Sequence, residues 1–399
     1  MEKIKILCGR DPVAKAPLRP YNDMVCQFLD AWSKELRKDN EAVKYPDLQA
    51  FAFWIRKSSV QKRKRDHEAR NRDRILLGRG TVFHIAPSNV PVNCLYTYVF
   101  GLLAGNSNIV RVPSKQFPQV ECACRILRDL LGVEEFCMLA ERTCFVRYER
   151  DEEITAGFTL QCNSRVIWGG DRTIGEVRKA VLPPRSNELT FADRYSIGIL
   201  SLEALKEITP EPLKRLAVDF YNDTYLMDQN ACSSPHVILW MREKDMTEET
   251  AAKIQRRFWD AVSETAAKYD LKDIKASGKY SLLCDSIIDF KCLSACQRYG
   301  NLLYVCTLDE LPEKLTGYRG KYGMFFQTQV CDWNWLEKMS EEKIQTCACY
   351  GLDQEQIRRQ IVEKQVCGID RIVPFGKTLD MDVIWDGYDI IEQLSRVIA

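Results

Sequence analysis

Cys232 stands in the segment Met227-Asp228-Gln229-Asn230-Ala231-Cys232-Ser233-Ser234-Pro235, with small and polar residues on both sides and a proline breaker just beyond. A loop of that composition leaves a thiol accessible and brings backbone N–H groups close to it. Accessible, electropositive surroundings favour the thiolate, the form that attacks carbonyl carbon. Taken alone it is also an ordinary loop cysteine, one of 17. His236 follows shortly after, placed either to help form the thiolate and protonate a leaving group or to open the next strand and point away. A second candidate is the turn Ala86-Pro87-Ser88-Asn89-Val90. An asparagine amide there can donate to an oxyanion developing on a reacting carbonyl, although the same residues also make a plain turn. The third is Gly169-Gly170-Asp171, where two glycines after a strand permit close backbone approach as a helix begins. That suits a phosphate or the face of a nicotinamide. The G-x-G-x-x-G fingerprint is missing, so an ordinary Rossmann assignment gets no support.

The other two histidines read as structural, His84 as a hydrogen-bonded core residue in an apolar strand and His67 as solvent-facing on a charged helix. An odd number of cysteines scattered through a long chain points to reduced thiols in a cytosol, not a disulfide framework. Cys122/Cys124 and Cys347/Cys349 have a C-x-C spacing that suits zinc poorly, and only 3 histidines exist to complete a site. Cys122 and Cys124 also fall within one helical period and point away from each other. No metal site is expected.

The elements that must position these residues begin at about residue 80. Strand-like runs at 81–85, 108–112, 144–148 and 165–168 alternate with helical periods over 91–103, 118–131, 151–161 and 171–179. The expected class is α/β, a doubly wound parallel sheet with helices on both faces. Ligands of such sheets sit at the carboxyl ends of the strands, here the turns 86–90, 113–115 and 169–171. The second half reads as another α/β domain. It has an apolar run at 237–240, helices over 247–269 and 353–366, strand-like runs at 302–306 and 324–330, and a closing helix over 389–398. The expected division is an N-terminal helical segment, 1–75, packing on a cofactor domain, 76–225, then a domain with the nucleophile, 226–370, and a C-terminal segment, 371–399.

With 399 residues, 46% of them hydrophobic, the chain can bury a large core. Lys+Arg number 57 and Asp+Glu 56, so no global field selects a polyanion. The basic run from Arg56 to Arg74 is broken by Asp66, Glu68 and Asp73 and reads as a solvated helix face. A nucleic-acid partner would want further runs and interleaved aromatics, so none is expected; the phosphates of a nucleotide or a coenzyme A suit the run better. Residues 1–10 lack the apolar core of a secretory signal, and the longest apolar run, 92–104, is too short to span a bilayer. A cytoplasmic protein without a membrane span is expected.

The order of these segments resembles the aldehyde dehydrogenase superfamily and, within it, the LuxC-type acyl-CoA reductases, the reductase component of bacterial fatty-acid reductase. The resemblance runs from about residue 75 to the C-terminus. Gly80-Thr81-Val82-Phe83-His84-Ile85-Ala86-Pro87-Ser88-Asn89-Val90-Pro91 is similar to the superfamily's strand and Pro-x-Asn-x-Pro turn, and Gly105-Asn106…Arg111-Val112-Pro113-Ser114 to its Gly-Asn…Lys-Pro-Ser segment. Trp168-Gly169-Gly170-Asp171 sits where a Gly-Ser nicotinamide loop belongs, and the Cys232 segment resembles the LuxC-type nucleophile loop. Phe326-Gln327-Thr328, Arg371-Ile372-Val373-Pro374-Phe375-Gly376 and Trp385-Asp386-Gly387 also look like that family.

The resemblance implies that Cys232 attacks a thioester and is acylated, that Asn89 and the Cys232 N–H hold the oxyanion, and that hydride from NADPH releases an aldehyde. It assigns the cofactor to Ser88, Arg111, Pro113, Ser114, Trp168, Gly169, Gly170 and Thr173. Arg111 replaces a lysine that contacts the adenosine ribose; a guanidinium can grip a 2′-phosphate, which favours NADPH over the alternative NADH. A surface strand residue is the plainer reading of Arg111. The hydrolytic members' Glu-Leu-Gly-Gly base falls on Phe191, with Glu188 close enough to keep open. Lacking that base, an acyl-enzyme would resist water, as suits a reductase. An acyl-CoA or acyl-carrier donor, an acyl-activating ligase partner and a homo-oligomer, dimer or higher, are also implied. Two other functions remain: a cysteine acyltransferase or thioesterase without redox chemistry, and a non-catalytic partner-binding subunit.

Overall fold

The computed structural model describes residues 4–399, which form two compact units. One runs to Ala192 and takes in Tyr388–Ala399; the other is Asp193–Gly387. Up to Ala192 the strands of the first are β1 (Lys5–Gly9), β2 (Ile75–Gly78), β3 (Thr81–Ile85), β4 (Ser107–Arg111), β5 (Thr143–Arg147), β6 (Ser164–Trp168) and β7 (Asn187–Phe191). Six of them make a sheet of order β1-β5-β4-β3-β6-β7, parallel except for β1. Strands β3, β5 and β6 are buried at every residue. Burial on both faces explains their near-continuous apolar sequences. From β3 the chain steps outward through β4 and β5, then returns to the other side of β3 for β6 and β7. The winding therefore reverses between β3 and β6, the position at which open α/β sheets present a ligand crevice.

Helix Asn93–Leu103 lies against β3 and β4. Its close seat requires Gly101, because a methyl group there would sit 1.7 Å from Asn108 Oδ1. The N-terminal helices Asp23–Lys38 and Pro46–Trp54 dock on the same helix through rings. Trp32 meets Tyr98 at 6.0 Å, Phe51 meets Tyr96 at 5.1 Å and Trp54 meets Phe100 at 5.5 Å, all edge to face. The basic helix Lys57–Arg70 buries only Val60 and His67. His67 is thus not solvent-facing: it packs 5.2 Å from the Tyr21 ring beside Asn71, and burial lowers its pKa. The expected closing helix is one turn, Ile390–Gln393, followed by the strand Ser395–Ile398, which pairs antiparallel with β2. Its sequence carries no sign of that partner, which lies far earlier in the chain.

The second unit has β8 (Tyr195–Ser201), β9 (Pro235–Met241), β10 (Leu293–Tyr299), β11 (Leu303–Leu308), β12 (Met324–Val330), β13 (Ile344–Tyr350) and β14 (Arg371–Pro374). The sheet order is β10-β11-β12-β9-β8-β13-β14, with only β10 antiparallel. Because β8 lies inside this sheet, between β9 and β13, residues 193–225 belong to this unit and not to the first, where the sequence reading drew them. Alternate residues feed two cores. Val237 and Leu239 face one that holds Ile197, Phe326 and Trp335; Ile238 and Trp240 face another that holds Phe220, Phe258 and Trp259. No helix among the described residues is long and apolar enough to cross a membrane.

A carboxamide ties the second core together. Gln327 Oε1 accepts from the indole N–H groups of Trp240 (2.9 Å) and Trp259 (2.8 Å), while its Nε2 donates to Thr307 Oγ1 (3.0 Å). Replacing it with an alkyl side chain leaves two buried N–H donors without acceptors. Gln327→Leu is expected to destabilise this unit by about 2–4 kcal/mol, read as a lowered urea midpoint of tryptophan fluorescence. An unchanged midpoint would show that the indoles find other acceptors.

Candidate active site

The Cys232 loop lies at the amino-terminal edge of the second sheet, between helix Pro210–Thr224 and β9. It enters through two residues in the left-handed region, Asp228 (φ 54°) and Gln229 (φ 58°). Asp228 accepts from Tyr269 Oη and from Lys275 Nζ at 2.8 Å. Gln229 is buried and bonds the Gly323 N–H at 2.8 Å and the Met324 carbonyl at 3.0 Å. On the other side of the cysteine, Ser234 Oγ donates to the Asp223 carbonyl at 2.7 Å. Ser196, at the start of β8, donates to the Cys232 carbonyl at 2.7 Å and accepts from the Thr346 N–H at 3.3 Å. Residues near the starts of β8, β12 and β13 thereby hold one loop.

Cys232 is half-buried as a residue, while Ser233 and Ser234 beside it are buried. Gln345, on strand β13, donates from Nε2 to Asp386 Oδ1. Asp386 is buried, with φ 49°. Desolvation, and then the negative charge of Asp386, push the Cys232 thiol up to about 11, against opposing pulls from Gln345 and Arg194. The electropositive setting expected from the sequence is therefore corrected: the thiol is held protonated near neutrality. Asp223, also buried, accepts from the N–H groups of Gly376 (2.7 Å) and Thr378 (3.1 Å), so the segment after β14 is tied to the same loop.

His236, the second residue of β9, has Nδ1 3.1 Å from the Gly320 carbonyl. A carbonyl only accepts, so Nδ1 carries the proton. The ring stacks on Tyr195 at 5.1 Å, and desolvation, helped by the Arg319 cation, pushes its pKa down to about 3. Such a ring is too weak a base to take a thiol proton near neutrality, so it serves the loop before β12 as a structural residue, not proton transfer.

In the first unit, the turn after β3 exposes Ser88 and Asn89, and Gly169 and Gly170 follow β6, the strand beside it. Helix Asp171–Arg178 starts there, with the Thr173 N–H donating to the Gly170 carbonyl at 2.8 Å and its side chain 3.1 Å from where a Gly169 Cβ would lie. These residues flank the point of sheet reversal. Trp168 is held by a buried relay that the sequence reading did not anticipate. Its Nε1 donates to Thr97 Oγ1 at 3.1 Å; Thr97 meets His84 Nδ1 at 2.7 Å; His84 Nε2 meets Asn108 Oδ1 at 2.9 Å. Asn108 Nδ2 is committed to the Asn106 carbonyl at 3.0 Å, so its Oδ1 accepts from His84 Nε2–H, and Thr97 donates to the bare Nδ1. Burial pushes His84 down to about 4, consistent with this neutral ring. The other face of Trp168 stacks on Phe191 at 3.7 Å.

At the end of β4, Arg111 donates to the Tyr148 carbonyl at 3.3 Å and lies 4.7 Å over the Tyr148 ring, while its buried Nε lacks a partner. Ser114 donates to the same carbonyl at 3.2 Å, and the Pro113 carbonyl accepts from Arg147 at 3.1 Å. Glu188 is bonded by Arg165 and by Arg178, each at 2.7 Å. The one cluster of metal-type ligands among the described residues, Asp39, Glu41 and Cys122, already surrounds the Arg125 guanidinium.

A family model described as acyl-CoA reductase (LuxC) matches residues 59–281, more than half of the chain and including Cys232. The chain belongs to the LuxC acyl-CoA reductase family. No curated protein matches this LuxC-family chain. Its fold is that of the aldehyde dehydrogenases. A point mutant of Thermus thermophilus 1-pyrroline-5-carboxylate dehydrogenase superposes with a TM-score of 0.64 at 13% identity, over 95% of this chain and 81% of that one. Aldehyde dehydrogenase 21 from Physcomitrella patens gives 0.61 at 11% identity, over 94% and 85%. A point mutant of proline utilization A from Bradyrhizobium japonicum gives 0.63 at 14% identity, over 95% of this chain; the LuxC-family chain spans only 42% of that protein's length.

Because His236 stays neutral far below its ordinary 6.5, the unfolded chain binds a proton that the folded one refuses as pH falls. Its contribution is present above the unfolded pKa and is lost on acidification towards the folded one. The second unit is expected to lose about 2 kcal/mol from this ring alone between about pH 7 and about pH 5. His236→Gln, assayed by urea midpoints at the two pH values, is expected to reduce that acid sensitivity; an equal loss in the variant would refute the assignment.

Proposed function

We propose that this chain reduces an aliphatic acyl-CoA, or an acyl group on a carrier protein, to the aldehyde by way of an acyl-enzyme on Cys232. The observation that carries the reading is the family match together with a half-buried cysteine, Cys232, fixed by its loop at a sheet edge. The Cys232 sulfur attacks the thioester carbon, the thiol proton passes to the departing coenzyme A sulfur, and the acyl group stays on Cys232. The exposed Asn89 is the side-chain amide we assign to the oxyanion, with the Cys232 N–H.

The first unit fits a nicotinamide dinucleotide. Space at the Gly170 Cβ position is open, a helix N-terminus follows it, and Arg111 Nε is buried without an acceptor. A bound nicotinamide supplies hydride to the acyl carbon. Trp168, Gly169, Gly170 and Thr173 would hold its nicotinamide end, and Ser88, Pro113, Ser114 and Arg111 the rest. The Arg111 guanidinium favours a 2′-phosphate, hence NADPH over NADH. Collapse of the resulting thiohemiacetal returns the Cys232 thiol and frees the aldehyde. Glu188, bonded to two guanidiniums, and Phe191, stacked on Trp168, offer no ready base for activating water.

Incubation with a long-chain acyl-CoA and NADPH is expected to oxidise one NADPH per aldehyde formed. Without NADPH, intact mass should show an acyl adduct that is lost in Cys232→Ala. Because the thiol titrates at about 11, acylation should quicken roughly tenfold per pH unit through the neutral range. Free acid or a transfer product without NADPH oxidation would replace this reading with a transferase or thioesterase.

A further inference from the structure

We infer that Lys279, a wholly buried lysine, is a positioning residue for the Cys232 loop, bracing it through the turn before β12, with Lys275 of the same helix bracing it directly. Helix Asp273–Asp289 buries only Lys279, Leu283 and Ser286, while Ile274, Ile287 and Ile288 lie exposed. A helix that hides a lysine and leaves isoleucines in solvent is not seated by apolar burial alone. An ammonium taken out of water is costly unless it is bonded. Lys279 Nζ donates to the Asn301 carbonyl and, at 2.9 Å, to the Tyr322 carbonyl, and it lies 4.7 Å over the Tyr304 ring. Burial, helped by the Arg298 cation, lowers its pKa to about 8.

Both carbonyls belong to turns. Asn301 lies in the connection between β10 and β11, and Tyr322 (φ 57°) with Gly323 (φ 88°) makes the left-handed turn into β12. That second turn is the one bonded to the Cys232 loop. The Gly323 N–H donates to Gln229 Oε1 at 2.8 Å, the Tyr322 N–H faces the Asp228 carbonyl at 3.5 Å, and the Gly320 carbonyl accepts from His236 at 3.1 Å. One helical turn before Lys279, on the same face, Lys275 donates to Asp228 Oδ1 at 2.8 Å and lies 5.9 Å over the Tyr322 ring. Two lysines of one helix therefore reach the two turns that bracket the loop. An ammonium has three hydrogens, enough to join carbonyls from two different turns at one point, and the stem behind it fixes their distance from the helix.

The inference rests on Cys232 being the working nucleophile, yet its first test needs no turnover. Amide hydrogen exchange of the full chain is followed by peptide mass in the wild type, Lys275→Met and Lys279→Met. Lys279→Met is expected to speed exchange about tenfold at 320–323 and also across 228–232, which the lysine does not touch, while β8 and β13 keep their protection. Lys275→Met is expected to loosen 228–232 as well. Faster exchange confined to 301 and 320–323 overturns the brace. Lys279→Ala with n-propylammonium, which supplies the missing atoms, separates charge from packing. Protection of 228–232 restored by the amine and not by 1-propanol upholds the brace; equal restoration by both, or by neither, overturns it. In turnover of acyl-CoA with NADPH, Lys279→Met is expected to lower kcat about tenfold with KM little changed, and an unaltered kcat refutes the positioning role. Transmission to 228–232 in a protein that makes no aldehyde would uphold the brace and sink the reductase reading.

Discussion

Two consecutive left-handed residues, Asp228 and Gln229, turn the chain into the Cys232 loop, and the site depends on their being kept there. Such backbone costs about 1–2 kcal/mol per non-glycine residue. It persists because each side chain is bonded at once to its surroundings, Asp228 to Tyr269 and Lys275, Gln229 to both sides of the Gly323–Met324 peptide. Gly323 itself is left-handed (φ 88°), and a Cβ there would meet the Leu302 carbonyl at 2.3 Å. The turn before Cys232 and the turn before β12 are therefore one bonded object, and the cysteine inherits its position from both.

The same device recurs in the first unit. The strand bearing His84 and its neighbour bearing Asn108 meet a helix bearing Thr97, and the polar groups between them find partners in a single consistent pattern of donors and acceptors. The relay ends at the Trp168 indole, which Phe191 covers on its face. A buried polar chain of this kind is costly if any member is unpaired, so it selects one arrangement of helix against sheet. The glycines after Trp168 begin from a fixed point, which matters for any ligand approached by backbone.

Much of this was legible in the sequence where one local rule suffices. The 81–85 run is mostly apolar and stopped by Pro87, so its strand has the expected bounds; helix Pro118–Leu131 opens on proline and closes at Gly132, and it too falls as read. The Cys232 loop was marked by composition and family likeness. What escaped depends on partners far along the chain. Strands β8 and β13 carry serine, threonine, glycine and cysteine among their apolar residues, which blurs the period although every residue of β8 is buried. The C-terminal strand exists because β2 receives it. The thiol's environment was misjudged for the same reason: Asp386 is brought beside Cys232 by the return of the chain after β14, a proximity no local pattern announces.

That misjudgement bears on the chemistry. A sulfur kept protonated is a slow nucleophile, yet an acyl group bound to it leaves reluctantly, because expulsion would create an anion beside Asp386 in a desolvated setting. In the proposed reaction hydride arrives at the acyl carbon as a second event, so the intermediate must outlast the interval. Water is the competitor. Phe191 stacks on Trp168, and the nearby Glu188 has its carboxylate between Arg165 and Arg178. Desolvation and the Asp386 charge thus act on both halves of the cycle with opposite effect, slowing capture of the acyl group while lengthening its stay. A durable thioester is what the second step of the proposed reaction needs.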